Sequence, residues 1–352
     1  MTTVAYDQDK LMGFVGQAVN DMGALLSGSL IVLGDKLGLY KAIRDRGPVT
    51  SVELSIATNT TERYCREWLN SQAAAGYVTY DGNERYSLSP EQAEALTNEE
   101  SPFCVLGAFQ LMSAATRSLP TLIERFKTGG GIGWHEHDPD LFQGTERFFR
   151  TGYAANLVDG WLPALDGVVP KLEAGGSVAD VGCGHGASAI IMAKRFPNSR
   201  FVGFDYHAAS IEAAREAAIE AGVTNCSFEV ASAKDYTGQY DLVCHFDCLH
   251  DMGDPVGASR HVLETLKPDG TWLIVEPFAN DDAADNLNPI GRVFYSASTF
   301  LCTPASLSQE VGLALGAQAG EARLEAVVRE GGFGRFRRAA ETPFNLVLEA
   351  RP

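Results

Sequence analysis

The stretch VADVGCGHGASAIIMAKRF, residues 178–196, packs three glycines into five positions between an apolar run and a segment that reads as a helix. Gly182, Gly184 and Gly186 fall at a strand-to-helix turn, where a Cβ would fill ligand space or forbid the dihedrals of a tight bend. The spacing G-x-G-x-G is neither the G-x-G-x-x-G of dinucleotide folds nor a phosphate loop, since no lysine follows to meet a phosphate. Asp180, just upstream, would repel a pyrophosphate and suits a ligand carrying an ammonium group.

Outward from this turn, strands and helices alternate. SVADVG, RFVGFDY, CSFEVAS, YDLVCHFDC and TWLIVEP are short apolar runs, separated by helical stretches at 186–196, 208–221 and 255–266. The final GGFGRFRRAAETPFNLVLEAR adds two strands joined by a short turn. This rhythm predicts an α/β class: a Rossmann-like, seven-stranded, mostly parallel sheet with an antiparallel last hairpin and helices on both faces. Ligands bind such sheets beyond the carboxyl ends of the strands, where the strand order reverses. Asp205 ends the second strand, where a carboxylate accepts both hydroxyls of a ribose, and Tyr206 follows as a flat surface for a purine. S-adenosylmethionine fits the description of a ligand with an amino group, a ribose and an adenine but no phosphate.

VADVGCGHG and VGFDY, at this separation, resemble the class I S-adenosylmethionine-dependent methyltransferases, over about residues 165–352. The resemblance implies that Asp180 helps hold the methionine end, that Gly182, Gly184 and Gly186 line the cofactor, and that Asp205 binds its ribose. After the third strand the family carries an acidic or amide residue for the adenine amino group. VASAKDY puts Ser232 there, so this contact stays open between Ser232, Ala233 and Asp235. Phe246, at the end of the fourth strand, is expected to line the pocket. Cys244, His245 and Cys248 are read as strand packing.

LHDMGDP also resembles the HDW segment of dimeric small-molecule O-methyltransferases of plant and bacterial secondary metabolism, whose histidine is the base. That likeness implies a catalytic pair: His250 as the base, a role that the pKa range of histidine permits, and Glu276 in WLIVEPF to steady it. Met252 replaces the family tryptophan. The long insertion 281–312 resembles instead a group of bacterial methyltransferases of unsettled substrate.

Upstream, RGPVTSVELSIATNTTERYCREWLNSQAAAGYVTYDGNERYSLSP reads as two short helices, capped by Thr50 or Ser51 and by Thr60 or Thr61, then a hairpin turned at Asp81-Gly82-Asn83. That is the order of a mainly helical winged-helix domain. Between Ile31 and Leu96 seven basic residues face nine acidic ones, a poor footprint for a phosphate binder. A dimerisation and lid module is therefore preferred to a DNA-binding one. The segment 11–43 is apolar around much of its circumference, and pairing of two copies would bury it.

The 28 Lys and Arg against 45 Asp and Glu give a net charge of −17, which argues against general nucleic-acid or lipid binding. Seven scattered cysteines without a C-x-x-C pair suggest neither a disulfide framework nor a zinc ribbon. No signal-like or membrane-spanning segment is legible, so the expected location is the cytoplasm. No metal set is legible: His135 and His137 lack a third ligand, and a cluster around 244–250 would need ligands from elsewhere. The expected domains are 1–100 (winged helix and dimerisation), 101–165 (helical connector and lid) and 166–352 (cofactor binding). The expected function is methyl transfer to a small apolar or aromatic acceptor, at oxygen, in a homodimer. The alternatives are a cofactor-sensing transcriptional regulator, or transfer to carbon or nitrogen.

Overall fold

Each central strand of the second half buries both of its faces, which only a sheet covered on two sides can satisfy. Val178, Leu242, Cys244, Leu273 and Val275 enter one core, while Ala179, Val181, Val243, Trp272 and Ile274 enter the other. The computed structural model describes residues 6–352. Two compact units emerge, one reaching to Ser113 and one spanning Ala114–Pro352.

In the first unit, the helix Gln8–Lys36 is followed by helices Leu39–Arg46, Ser51–Thr58 and Glu62–Ala74 and by the strands β1 (Thr79–Gly82) and β2 (Arg85–Ser87). Thr50 caps its helix in a reciprocal box with Glu53, whose carboxylate accepts from the Thr50 N–H. Thr61 occupies the N-cap of the next helix without a side-chain bond. The hairpin differs from the sequence expectation. Its turn lies at Asn83 and Glu84, both left-handed (φ 51° and 58°), because Gly82 still pairs with Arg85 across the ladder. Ile31, Tyr40, Ile43, Leu54 and Trp68 form this unit's core. The long first helix buries only Ser27, Ile31 and Gly34 and leaves Phe14, Val19, Met22, Leu25 and Leu26 exposed. Among the described residues, no single helix is long and apolar enough to cross a membrane.

The second unit carries a seven-stranded sheet: β3 (Ser177–Val181), β4 (Arg200–Asp205), β5 (Cys226–Val230), β6 (Tyr240–Phe246), β7 (Leu266–Pro277), β8 (Arg335–Glu341) and β9 (Asn345–Arg351). The order is β5-β4-β3-β6-β7-β9-β8, with β9 antiparallel to both neighbours and the other pairs parallel. The order reverses beside β3, which opens the ligand crevice at the carboxyl ends of β3, β4 and β6. The helix Pro139–Asn156 ends in a π turn, Leu157–Trp161. The segment 281–312 folds into helices Pro289–Phe300 and Cys302–Leu307, the former capped by the Asn288 side chain.

Candidate active site

Four adjacent parallel strands each end in an acid: Asp205 on β4, Asp180 on β3, Asp247 just beyond β6 and Glu276 on β7. Carboxyl groups in such a place lose solvation, and the charged form is disfavoured unless a cation or donors arrive. Asp180 is almost fully buried. Its Oδ2 accepts from Ser188 Oγ at 2.5 Å, while Oδ1 has no hydrogen-bond partner. Burial pushes its pKa up to about 7, against the lowering by the Ser188 and Ala189 donors. Asp247 is left-handed (φ 51°), accepts from Tyr153 Oη at 3.1 Å and Asn345 Nδ2 at 3.3 Å, and is pushed up to about 8 by burial and by Glu276. Asp205 is raised by burial as well, although the N–H groups of Gly184 (3.0 Å) and His207 (2.8 Å) donate to its two oxygens. Each oxygen keeps a further lone pair for a hydroxyl.

The glycine turn forms the floor of the crevice. Gly182, Gly184 and Gly186 are all left-handed, and a Cβ on Gly186 would stand 2.5 Å from the Phe228 ring and one on Gly182 2.7 Å from Cys248 Sγ. Nothing lies within 4 Å of the position a Cβ would take on Gly184, so that backbone is bare toward open space. An orphaned carboxylate oxygen, a bare backbone and further acids with raised pKa fit a cationic, phosphate-free ligand.

The other expected residues are gathered unevenly. Tyr206 is half-exposed at the rim, edge-on to His135 with centroids 6.4 Å apart. Phe246 is buried against Tyr153 and Trp161, at 5.2 and 6.5 Å. In the Ser232–Asp235 turn the Ser232 N–H donates to Asp235 Oδ1 (2.7 Å), and Ala233 packs on the core. His245 is buried and receives Trp272 Nε1 at 2.9 Å; burial drops its pKa to about 3.

His250 and Glu276 are in direct contact. Glu276 Oε2 pairs with His250 Nδ1, and Glu276 Oε1 accepts the Leu249 N–H at 2.9 Å, which fixes both side chains. On the far side of the ring, Asp251 Oδ1 stands 3.2 Å from Nε2. Burial opposes the charge on His250, but Glu276, Asp251 and Cys302 together outweigh it and hold the ring pKa well above the ordinary histidine value. Those three neighbours favour the protonated ring. Asp247, Tyr153, Asp251 and Cys302 were missed by the sequence reading. Asp247 had a signal, an acid directly after a strand in FDCLHD; Cys302, on a distant helix, had none.

The site is closed from two sides. The Cys302–Leu307 helix is tied to the His250 segment by Ser306 Oγ donating to Met252 O (2.8 Å) and Gln309 Nε2 to Asp251 O (2.9 Å). The glycine-rich segment 129–133 seats on that helix. Ile132 N–H donates to Pro304 O at 2.9 Å, and a Cβ on Gly131 would meet the Ser308 nitrogen at 2.1 Å.

Residues 172–303 match the model of a methyltransferase domain. Residues 26–98 match an Rv2258c-like winged HTH domain. The chain thus carries a methyltransferase domain behind a winged helix. A 2-heptyl-1-hydroxyquinolin-4(1H)-one methyltransferase of Mycobacteroides abscessus is 35% identical over 120 residues, 32% of this chain and 51% of that protein. A ubiquinone biosynthesis O-methyltransferase of Vibrio campbellii is 34% identical over 113 residues, 31% and 45% of the two chains. The chain spans about half the length of these curated relatives. Among solved structures, the mitomycin 7-O-methyltransferase MmcR (TM-score 0.70, 20% identity, 98% of this chain and 100% of that one) shares the fold. So does human N-acetylserotonin methyltransferase in complex with SAM (TM-score 0.68, 16% identity, 99% of each).

Asp247 makes stability depend on pH. Its folded pKa, about 8, lies above the ordinary 3.8, so the folded state retains a proton that the unfolded state has lost. Stability contributed in this way is present at low pH and declines as pH rises from about 4 to about 8. Asp247→Asn, which keeps the left-handed preference and the shape, should flatten that decline in urea denaturation at a series of pH values.

Proposed function

We propose that the protein is an S-adenosylmethionine-dependent methyltransferase acting at oxygen on a small, apolar or aromatic acceptor. The observation that carries this reading is the row of buried carboxyl groups around a bare glycine turn, with His250 in the turn after β6 paired to Glu276 on β7. When bound, S-adenosylmethionine supplies a methyl group on a positively charged sulfur. Asp180, beside the glycine turn, would meet the ammonium of the methionine end, and Asp205 the ribose hydroxyls. Tyr206 at the rim supports a purine, and the adenine contact stays between Ser232, Ala233 and Asp235. Phe246 backs the pocket from within the core. Tyr153 donates to Asp247 near the same strand ends and would help hold the reactants in line.

The acceptor would lie between the sheet's carboxyl edge, the helix Pro139–Asn156 and the segment 281–312. His250 would take the acceptor's proton on Nε2 once its own Nε2 proton has passed to solvent, with Glu276 holding the ring on Nδ1. The domain division 1–100, 101–165 and 166–352 is retained as part of this proposal, and the seven free cysteines suit a reducing cytoplasm. We prefer the enzyme to the regulator reading because the winged-helix segment is acidic on balance, and on the helix Glu62–Ala74 Arg63 pairs with Glu67 and Arg66 with Glu62.

We infer that the functional form is a homodimer. The exposed apolar side of the first helix continues into a groove of about 800 Å³ lined by Leu26, Leu30, Leu33, Leu37, Tyr64 and Trp68. That is more apolar surface than a lone domain leaves in water. Light scattering should read twice the chain mass, and removal of residues 1–30 should give aggregate or inactive monomer; a fully active monomer would contradict it.

Cofactor binding should be proton-linked. A cation at the crevice favours ionised Asp180, so S-adenosylmethionine affinity should rise with pH through about 7 and calorimetry in two buffers should detect proton release. Asp205→Ala should cost about 1.5–3 kcal/mol for each charge-assisted bond lost. An unchanged affinity in the folded variant would sink the cofactor reading.

The base is tested on the chemical step. With an acceptor found by screening phenols, carboxylic acids and amines against labelled cofactor, His250→Ala should lower kcat by about 10²–10⁴-fold at nearly constant cofactor affinity. Glu276→Gln should lose less. A His250→Ala variant that keeps its rate would point to transfer at carbon or nitrogen, or to another base.

A further inference from the structure

The surroundings of His250 contain a donor set that proton transfer alone does not require. A ring nitrogen of His250, a carboxylate oxygen of Asp251 and Sγ of Cys302 all lie within 4.8 Å of one another. Tetrahedral zinc holds nitrogen and oxygen at about 2.0–2.2 Å and sulfur at about 2.3 Å, so a cation among these atoms would draw them together by only about 1 Å. The ligand that the 244–250 segment lacks in the sequence is supplied by the inserted helix Cys302–Leu307.

Three further features suit a metal. The Nδ1 of His250 is held by Glu276, which leaves Nε2 as the coordinating nitrogen and reproduces the carboxylate–histidine–metal arrangement of metalloproteins. Asp251 Oδ1 is buried and accepts no hydrogen bond, although it stands 3.2 Å from Nε2. Cys302 is kept in place by its helix, which Ser306 and Gln309 anchor to Met252, Gly253 and Asp251. Imidazole, carboxylate and thiolate together select a borderline-soft cation over magnesium or calcium, which prefer oxygen alone.

We propose that His250, Asp251 and Cys302 form a binding site for a divalent cation of the zinc type, with the fourth position open to water or to an acceptor oxygen. Binding requires the Cys302 thiol and the Nε2 of a protonated His250 each to lose a proton to solvent as the metal–sulfur and metal–nitrogen bonds form. The cation takes the lone pair on Nε2 that the base reading assigns to the acceptor's proton. Zinc therefore inhibits methyl transfer in so far as that reading holds, whereas binding itself does not depend on it.

The full chain, freed of metal with a chelator, should be titrated with cobalt(II). The expected result is a near-ultraviolet thiolate-to-cobalt charge-transfer band together with the intense visible bands of a four-coordinate ion. Cys302→Ser should abolish the thiolate band while circular dichroism stays native, and Asp251→Asn should weaken cobalt binding about tenfold or more. Absence of the band in the unmodified protein, or its persistence in folded Cys302→Ser, overturns the site. Turnover with zinc is read separately: if cobalt binds through Cys302 but zinc leaves the rate unchanged, the site stands and the role of His250 as base fails.

Discussion

Asp205, Asp180, Asp247 and Glu276 stand side by side at the carboxyl ends of four parallel strands, and the cost of keeping acids there governs the second unit. A buried carboxyl group must hold a proton, find donors or wait for a cation. Each acid meets that condition differently. Asp205 draws on two backbone N–H groups, one from the glycine turn itself, and Asp247 on a tyrosine and an asparagine. Glu276 takes a backbone N–H and the His250 ring, while Asp180 keeps one oxygen orphaned. The left-handed glycines and the left-handed Asp247 are the backbone consequences, since ordinary turns would not bring those donors to the acids.

The same constraint explains why the surrounding segments are so closely tied. A site whose acids depend on exclusion of water needs walls, and here the walls are held by backbone contacts. The glycine-rich segment 129–133 lies against the inserted helix so closely that a side chain on Gly131 would collide with its main chain. The inserted helix in turn grips the His250 segment through Ser306 and Gln309. Histidine protonation, thiol position and loop placement are thus set by one connected network. The first unit answers to a different constraint, the apolar surface of its long helix, which its own core covers only at Ile31 and its near neighbours.

The amino-acid sequence by itself determined the strand rhythm, the glycine turn, and Asp180 and Asp205 as candidate residues, because alternation and glycine spacing are local properties of the chain. The pairing of His250 with Glu276 came with the resemblance of LHDMGDP and WLIVEPF to a known family. Even there the local signal had limits: Gly82 marked the hairpin, but the ladder pairing of Gly82 with Arg85 moved the turn on to Asn83 and Glu84. Only the tertiary structure decided that Tyr153 and Asn345 hold Asp247, that Phe246 is packed into the core, and that Cys302 reaches His250. It also decided that Glu276, Asp251 and Cys302 together raise the His250 pKa above the ordinary histidine value. These outcomes depend on burial and on distances between segments far apart in the chain, and a charge state in particular is fixed by every neighbour at once, through space, with no trace in the spacing of residues along the sequence.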